Sequence, residues 1–559
     1  MALPDGDVSA PWPPKPFDIA ADHYSLADAW YSSDVEYLHD HYRGANVSSR
    51  PSQYAGGVVG RMARFFWGRP LQQATKRVHV PAAADIARTG ADLLFSTPPQ
   101  WVLAETDVKG GKAEFEAAQK RLEVLLESTD VNSTLLEAAE IQSALGGVYL
   151  RLWWDTDVTN KVMLSHVGAD AAIPEWRYGQ LAAVTFWTVV REDKGGVWRH
   201  LERHSPGFIE HGLYCGDKDT LGRAYPLDQI PETEWAMGLD YDSEGRLPTG
   251  VKGLTAAYVP NVRPNRVWRN VPQLSLLGRS DFDGLEPLFD ALDEVMTSWM
   301  RDIDHGKSRL MVSAEALEDH GPGRGASFDP EQPVFTPVPV DALVEEGGSK
   351  SLVEAQQFQI RYEEHKATFR ELMVRILVTA GYSVADFGDD EMSSSVTATE
   401  INARRELSNR TREKKISHWR AALEPLARTM LELDKLIYSA DPSYGDQFEV
   451  VADPEMKFPV RQDQSPIAMS TTIQAMVSAG AMSCEEAVRE FHPNWSSEQV
   501  DAEVAAIWSD YDRKNAIAGL PSEFDYPEAS TEADVEPATV AEGDLGADGD
   551  VFEDDTAGV

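Results

Sequence analysis

Cysteine is nearly missing from this chain of 559 residues, which has two, Cys215 and Cys484. They are far apart in sequence and give neither a metal-spaced pair nor a disulfide framework, which suits a reducing cytoplasm. No apolar run approaches the roughly 18 residues of a membrane span, so no membrane partner is expected. The opening stretch MALPDGDVSAPWPPKPFD lacks a basic head followed by an apolar segment, so it does not read as a secretory signal. Positive charge is scarce: 51 Lys and Arg stand against 92 Asp and Glu, a net charge of −41. Gripping nucleic acid over a whole surface takes clustered cations, and this balance excludes it. An acidic channel along which DNA slides without sticking is compatible with the same charge. Chemical signatures are missing as well. Gly321-Pro322-Gly323-Arg324-Gly325 lacks the Lys-Ser/Thr ending of a phosphate loop. No His, Cys and Asp stand at metal spacing, and no nucleophile elbow is present. No catalytic residue, metal ligand or cofactor is assigned, and the chain does not read as an enzyme.

What the chain has is length and periodicity. With 42% apolar residues it can build two to four domains. Residues 1–279 read as mixed α/β. Helices are predicted over 85–95 and 135–145, stopped by Thr97-Pro98-Pro99 and Gly146-Gly147. Strands are predicted over 148–154, 162–167, 181–190, 197–203 and 208–214. Trp153, Trp154, Trp176, Trp187 and Trp198 fit core or interface packing better than base stacking in so acidic a setting.

Next comes a helix over 284–303, with Ser280 or Asp281 as N-cap. Its stripe is Leu285, Leu288, Phe289, Leu292, Val295, Met296, Trp299, Met300 and Ile303. The other face carries Glu286, Asp290, Asp293, Glu294 and Asp302, which either line a channel or are merely solvated. Residues 306–350 read as a small inserted α/β module, with a strand over 309–312 and an extended stretch over 334–340. A second helix runs over 352–380. Its first half is polar, His365 included as a solvated residue, and its second half is apolar (Phe369, Leu372, Met373, Ile376, Leu377) up to Gly381. Residues 384–396 carry no periodicity. Asp389, Asp390 and Glu391 lack the further ligands a metal needs, so they read as a flexible acidic loop.

A third helix starts at Thr397 or Thr399 with the stripe Ile416, Trp419, Leu423, Leu426, Met430, Leu433 and Ile437. Roughly 40 residues span about 60 Å. Pro425 should kink or split it. Arg404, Arg405, Arg410, Arg412, Lys414, Lys415 and Arg420 make one basic stretch. It is expected to meet an acidic face of a neighbouring subunit, or else DNA. A strand over 448–451 and helices over 467–478, 483–491 and 497–511 follow, with a Ser483/Glu486 capping box. Beyond Lys514 there is no Lys or Arg. About 40 acidic terminal residues are expected to be disordered, as a docking or a solubilising tail.

In order and type these elements resemble the portal proteins of tailed bacteriophages. The resemblance rests on PQLSLLGRSDFDGLEPLFDALDEVMTSWM (272–300) as the entry to the stem, and on the module 306–350 in the place of the clip. It rests further on SSSVTATE (393–400) before the long helix, and on SAGAMSCEEA (478–487) as in a crown helix pair. ADIARTGADLLFSTPPQ (84–100) is similar to an early wing helix. The acidic tail departs from many members. The implied fold is α+β: wing 1–279, stem helix 280–305, clip 306–351, second stem helix 352–383, tunnel loop 384–397, long wing helix 398–447, strand and helical crown 448–512, and tail 513–559.

The implied protein is a homo-oligomeric ring, twelve-fold in the virion, at the capsid portal vertex and in host cytoplasm during assembly. Double-stranded DNA would pass through its lumen without sequence-specific binding. Asp386, Asp389, Asp390, Glu391, Ser393, Ser394 and Ser395 would lie near the DNA. The basic stretch would lie at a subunit interface or near DNA. Arg309, Arg324, Phe328 and Phe335 of the clip would receive the large terminase subunit and then head-completion (adaptor) proteins. Major capsid and scaffolding proteins are further expected partners. A non-portal oligomeric scaffold, or less readily a DNA-processing enzyme, is the alternative. The reading requires 285–303 and 369–377 to stand side by side.

Overall fold

The computed structural model describes residues 3–4, 9–38, 41, 78–306, 309–312, 318–319, 326–327, 353–356, 360–387, 398–439, 448–459, 466–492, 495 and 497–518. Helix α1 (Phe17–Ser32) packs near α2 (Ala82–Phe95), whose Ala83 and Ala87 share a buried core with Ala20, Tyr24 and Ala27 of α1. Two short strands, β1 (Gln100–Val102) and β2 (Val108–Lys109), precede α3 (Lys112–Leu126) and α4 (Thr129–Leu145). Helix α4 stops at Gly146, which sits at φ 81. There a Cβ would lie 2.6 Å from the backbone of Arg279, so only glycine fits this left-handed cap.

Strands β3 (Gly147–Trp153) and β4 (Met163–Gly168) lead into the hairpin meander β5 (Ala172–Arg177), β6 (Gln180–Asp193), β7 (Gly196–Ser205) and β8 (Phe208–Gly216). Short strands β9 (Arg223–Tyr225), β10 (Leu247–Pro248) and β11 (Ala256–Pro260) follow. All pair antiparallel: β10-β8-β7-β6-β5, with β9 beside β8, form one sheet and β11-β3-β4 another. The β5–β6 hairpin closes on Tyr178 and Gly179, both at positive φ, a turn whose twist matches the strands. The five predicted long strands are all present. The strands Gln100–Val102, Val108–Lys109, Ala172–Arg177, Arg223–Tyr225, Leu247–Pro248 and Ala256–Pro260 are not among those predicted.

Helix α5 (Glu286–Gly306) and helix α6 (Tyr362–Ala380) pack on each other. Between them, β12 (Arg309–Val312) pairs antiparallel with β15 (Val353–Gln356), and β13 (Glu318–Asp319) with β14 (Ala326–Ser327). The second helix therefore begins ten residues later than its predicted start at 352. Its polar leading half has no apolar stripe, and strand 309–312 supplies a ladder partner for 353–356. Helix α5 likewise starts after Gly284, at φ 81, and not from a cap at Ser280 or Asp281.

Helix α7 (Ala398–Tyr438) is one continuous run of 41 residues through Pro425. The expected split does not occur, because Leu423, Leu426, Ala427, Met430, Leu431 and Leu433, on both sides of the proline, are buried in one core. That burial outweighs the cost of an interior proline, about 3 kcal/mol for the lost hydrogen bond and the ring's clash with the preceding turn. Strands β16 (Glu449–Val450) and β17 (Glu455–Lys457) return to pair with β2 and β1. Among the described residues two large cores result: one joins α3, α4, β3 and α7, and the other joins α1, α2, α5 and α6, while a small third cluster gathers Trp12, Leu201, Tyr214 and Leu221.

Helices α8 (Pro466–Ser478), α9 (Cys484–Phe491) and α10 (Ser497–Ala518) close the described chain. Ser483 Oγ accepts the Glu486 N–H, which is one half of the predicted capping box. Residues 513–518, assigned to the tail, continue α10, and 519–559 lie outside the described residues. Among the described residues no helix is long and apolar enough to cross a membrane.

Candidate functional site

The root of the α5/α6 pair is a buried polar junction centred on Asp281, just ahead of α5. Its carboxylate accepts from Lys415 Nζ of α7 at 2.5 Å, from the Tyr382 hydroxyl just after α6 at 2.6 Å, and from Asn261 Nδ2 at 2.8 Å. Ser143 Oγ of α4 donates to it as well. Lys415 Nζ also donates to the Tyr382 oxygen at 2.9 Å. Asp281 and Lys415 are both almost fully buried. Burial, joined by the charge of Asp281 and the hydrogen bond to it, pushes the Tyr382 hydroxyl well above its usual range. A buried carboxylate needs partners from every side, and here they come from four segments. The stem-like helices are thus fixed to α4 and α7 at one point. The residues expected to cap α5 serve this junction instead, Ser280 Oγ donating to the Ser143 carbonyl.

Along α5, Asp293 is buried, not part of an open acidic face. It accepts the Val80 N–H at 2.9 Å and pairs with His79 Nδ1 at 2.9 Å, while Thr297 Oγ1 accepts the Val78 N–H. An extended stretch, 78–81, is stitched to that side of the helix. At the far end, Asp302 accepts a two-pronged pair of bonds from Arg361 at 2.9 and 3.1 Å, and meets His365 Nε2 at 2.9 Å. Those bonds, His365 first, hold the Asp302 carboxyl below its usual range. His365 is therefore not a solvated residue: its ring stacks on Trp299, with centroids 6.1 Å apart. Helices 285–303 and 369–377 stand together, clamped at both ends.

The basic stretch of α7 divides. Arg412 is buried, donating to the Leu93 carbonyl at 2.7 Å and the Pro459 carbonyl at 3.0 Å. Lys415 belongs to the junction, and Arg420 donates to the Met456 carbonyl. Arg405 lies 3.4 Å from Asp386. Arg410 and Lys414 are exposed, Arg410 pairing with Glu406. Arg404 lies in α7. Four of these seven cations, Arg405, Arg412, Lys415 and Arg420, are therefore held by groups of their own chain.

Asp386 sits in the turn Val384–Phe387 with its carboxylate 4% exposed, so it faces Arg405 and not an open lumen. Asp389, Asp390, Glu391, Ser393, Ser394 and Ser395 lie outside the described residues, as do Arg324, Phe328 and Phe335. Arg309 opens β12. Among the described residues no group of three or more His, Cys, Asp or Glu side chains is placed to hold a metal ion.

One feature went unread in the sequence. From Gly245 to Ser280 there is no Asp or Glu, although Arg263, Arg266, Arg269 and Arg279 crowd its second half. A charge count in short windows finds it. This loop leads from β11 into the junction and is closed at its neck. Arg279 N–H donates to the Val262 carbonyl at 3.1 Å, and Asn265 Nδ2 to that of Gly278 at 2.9 Å. Trp268 is buried against His23 and Tyr24.

A family model described as phage portal protein, SPP1 Gp6-like, matches residues 23–501. None of the curated proteins matches the chain. Among solved structures, a chain of the virion of a native gene transfer agent (GTA) particle is 12% identical, with a TM-score of 0.36. The match covers 83% of this chain and 99% of that one. A chain of the neck of the native GTA particle, computed with C12 symmetry, gives the same values. One from the neck of the empty particle, computed with C6 symmetry, is 11% identical over 80% of this chain and 92% of its own, with a TM-score of 0.32.

Proposed function

We propose that this chain, which belongs to the SPP1 Gp6-like family of phage portal proteins, forms a ring at one capsid vertex through which double-stranded DNA is packaged and ejected. The observation that carries this reading is the family match over residues 23–501, a span that takes in the α5/α6 hairpin, its buried root and α7. Portal proteins are structural, and no chemistry of this chain's own is invoked.

In this reading the two helices act as rods and the junction as their mount. A wall around moving DNA must resist sideways load, and a carboxylate held by four donors inside a core resists displacement better than a greasy contact that can slide. The net charge of −41 makes the wall repel phosphates, so translocating DNA meets few adhesive sites. Residues 388–397, with Asp389, Asp390 and Glu391, are assigned to the DNA path. The module between α5 and α6 is assigned to docking the terminase motor during packaging and head-completion proteins afterwards. The ring is expected to hold twelve copies in the virion and to be built in host cytoplasm.

Negative-stain microscopy and native mass spectrometry of the purified chain test this. Rings with a central hole are the expected result. A monomer that turns over ATP or cleaves DNA would reject the proposal.

A further inference from the structure

Among the described residues, the arginine loop meets one carboxylate in an ion pair, Asp283 beside Arg279 at 3.9 Å. Its neck is fixed by the Val262–Arg279 bridge, by Asn261 Nδ2 donating to the Arg279 carbonyl at 3.1 Å, and by the Gly278 N–H donating to the Tyr258 hydroxyl at 2.8 Å. Asn265 Oδ1 accepts the N–H groups of Val267 and Trp268, turning Trp268 inward and leaving Val267 54% exposed. The surface is therefore preorganised, and little order has to be gained on binding.

Arg263, Arg266 and Arg269 are exposed around Val267, and among the described residues no carboxylate pairs with any of them. Arg263 donates to the Leu276 carbonyl, and Arg266 reaches the backbone carbonyl of Asp283 at 3.5 Å. The Asp283 carboxylate lies 3.9 Å from Arg279. Burial, and next to it the charge of Arg266, lowers the pKa of Arg279. Guanidinium groups this close repel one another, so an anionic surface that covers them is stabilised on arrival.

The same chain carries the complement. Residues 231–240, a helical turn Pro231–Glu234 running into a turn of 3-10 helix Trp235–Gly238, follow the meander. Glu232, Glu234 and Asp240 are exposed there, and among the described residues no cation pairs with them. Trp235 and Met237 are 57% and 54% exposed between them. The indole is not loose, since it stands edge-on to the stacked rings of His200 and His211. A fixed, exposed tryptophan ringed by unpaired carboxylates has the make-up of an interface anchor.

We propose that a second copy of this chain docks its 231–240 turn, Trp235 and Met237 foremost, on the arginine loop of its neighbour around Val267. The contact joins two different patches, so it is head-to-tail, the kind that closes into rings. Copies that each carry −41 repel at a distance, and a local pairing of opposite charge offsets this where they touch. Nucleic acid is the other polyanion that could cover the arginines, but a duplex that must slide is served poorly by three fixed cations. The proposal rests on the ring reading above and specifies which surfaces form the ring.

The test uses two full-length chains with reversed patches: Arg263→Glu/Arg266→Glu/Arg269→Glu, and Glu232→Arg/Glu234→Arg/Asp240→Arg. Circular dichroism and thermal melting confirm that each folds, and an Arg→Gln triple variant serves as a milder second probe. Sedimentation velocity should show that either reversed chain alone loses assembly, with an apparent dissociation constant raised at least about tenfold. An equimolar mixture should regain assembly, because reversed loop then meets reversed turn. Assembly of both reversed chains at wild-type concentrations overturns the inference while leaving the ring reading intact. So does loss of assembly that mixing fails to restore. Wild-type chain that stays monomeric overturns both. Normal assembly by the arginine-reversed chain, with lost retention of a 30-base-pair duplex, assigns the loop to nucleic acid instead.

Discussion

Lys415 Nζ and Asp281 Oδ2 lie 2.5 Å apart across 134 residues of sequence, and both side chains are almost fully buried. Their contact ties the entry to α5 to the middle of the longest helix. Removing one member alone strands the other as a buried charge, which costs about 3–5 kcal/mol, whereas removing both costs far less. Lys415→Met and Asp281→Asn should each lower the urea midpoint strongly. The double variant should recover part of the loss, giving a coupling energy above about 1 kcal/mol in a double-mutant cycle. Strict additivity would show that the pair does not hold the junction.

Gly90 in α2 borders the same junction. A Cβ there would lie 2.6 Å from the Tyr382 hydroxyl, 3.2 Å from Ser143 Oγ and 3.3 Å from Lys415 Nζ. Helix propensity favours Gly90→Ala by about 1 kcal/mol. The methyl group would push apart hydrogen bonds that have nowhere to go, at a cost of about 1–3 kcal/mol. The expected outcome is a lower melting temperature, against propensity. A raised one would mean that the junction is loosely packed.

His23 and Asp283 meet at 3.1 Å where α1 crosses the arginine loop's exit. The hydrogen bond to Asp283 raises the His23 pKa above 6.5. Burial pushes the Asp283 pKa up, but the bond and charge of His23 win and hold it below 3.8. The His23 contribution is complete below pH 6.5 and fades as pH rises through its folded value. The Asp283 contribution is present above pH 3.8 and fades as pH falls through its own. The pair should therefore stabilise most between about pH 4 and 6.5. His23→Gln should flatten the stability profile on the alkaline side of that window, read by denaturant titration at several pH values.

His211 behaves oppositely. Burial, joined by His200, His204 and Arg151, outweighs the pull of Glu202 and brings its pKa down to about 4. An unfolded histidine takes up a proton near pH 6.5, so stability is lost as pH falls from 6.5 towards 4. The loss amounts to roughly 2–3 kcal/mol. Because Trp235 rests on this ring pair, acid should also shift its fluorescence in the same interval. In His211→Phe that acid-dependent loss should shrink, and an unchanged profile would exclude His211 as its source.

The acidic loop can be examined through Asp389, Asp390 and Glu391. Replacing all three with alanine should leave ring assembly intact while altering DNA packaging or retention in particles. Lost assembly would make the loop structural.

How much could be read beforehand varies by element. The stripes of α5 and α7, the alternation in β3, β4 and β6–β8, and glycine stops such as Gly146 and Gly381 were all legible. Each is a property of neighbours along the chain, and backbone geometry turns spacing directly into a face. The strand over 353–356 was not, because its ladder partner lies more than forty residues away.

What the linear pattern alone determined is therefore which segments are rods, ribbons and turns, and through their ordered combination the family. Where each charge goes was decided by folding. Lys414 and Lys415 are adjacent and chemically identical, yet one points to water and the other enters the Asp281 junction. A step of one residue turns a helix by about 100°, and which side of it is covered depends on segments that arrive from far along the chain. The same holds for Arg412, drawn inward by carbonyls of residues 93 and 459, and for Arg263, Arg266 and Arg269, left outside on the arginine loop.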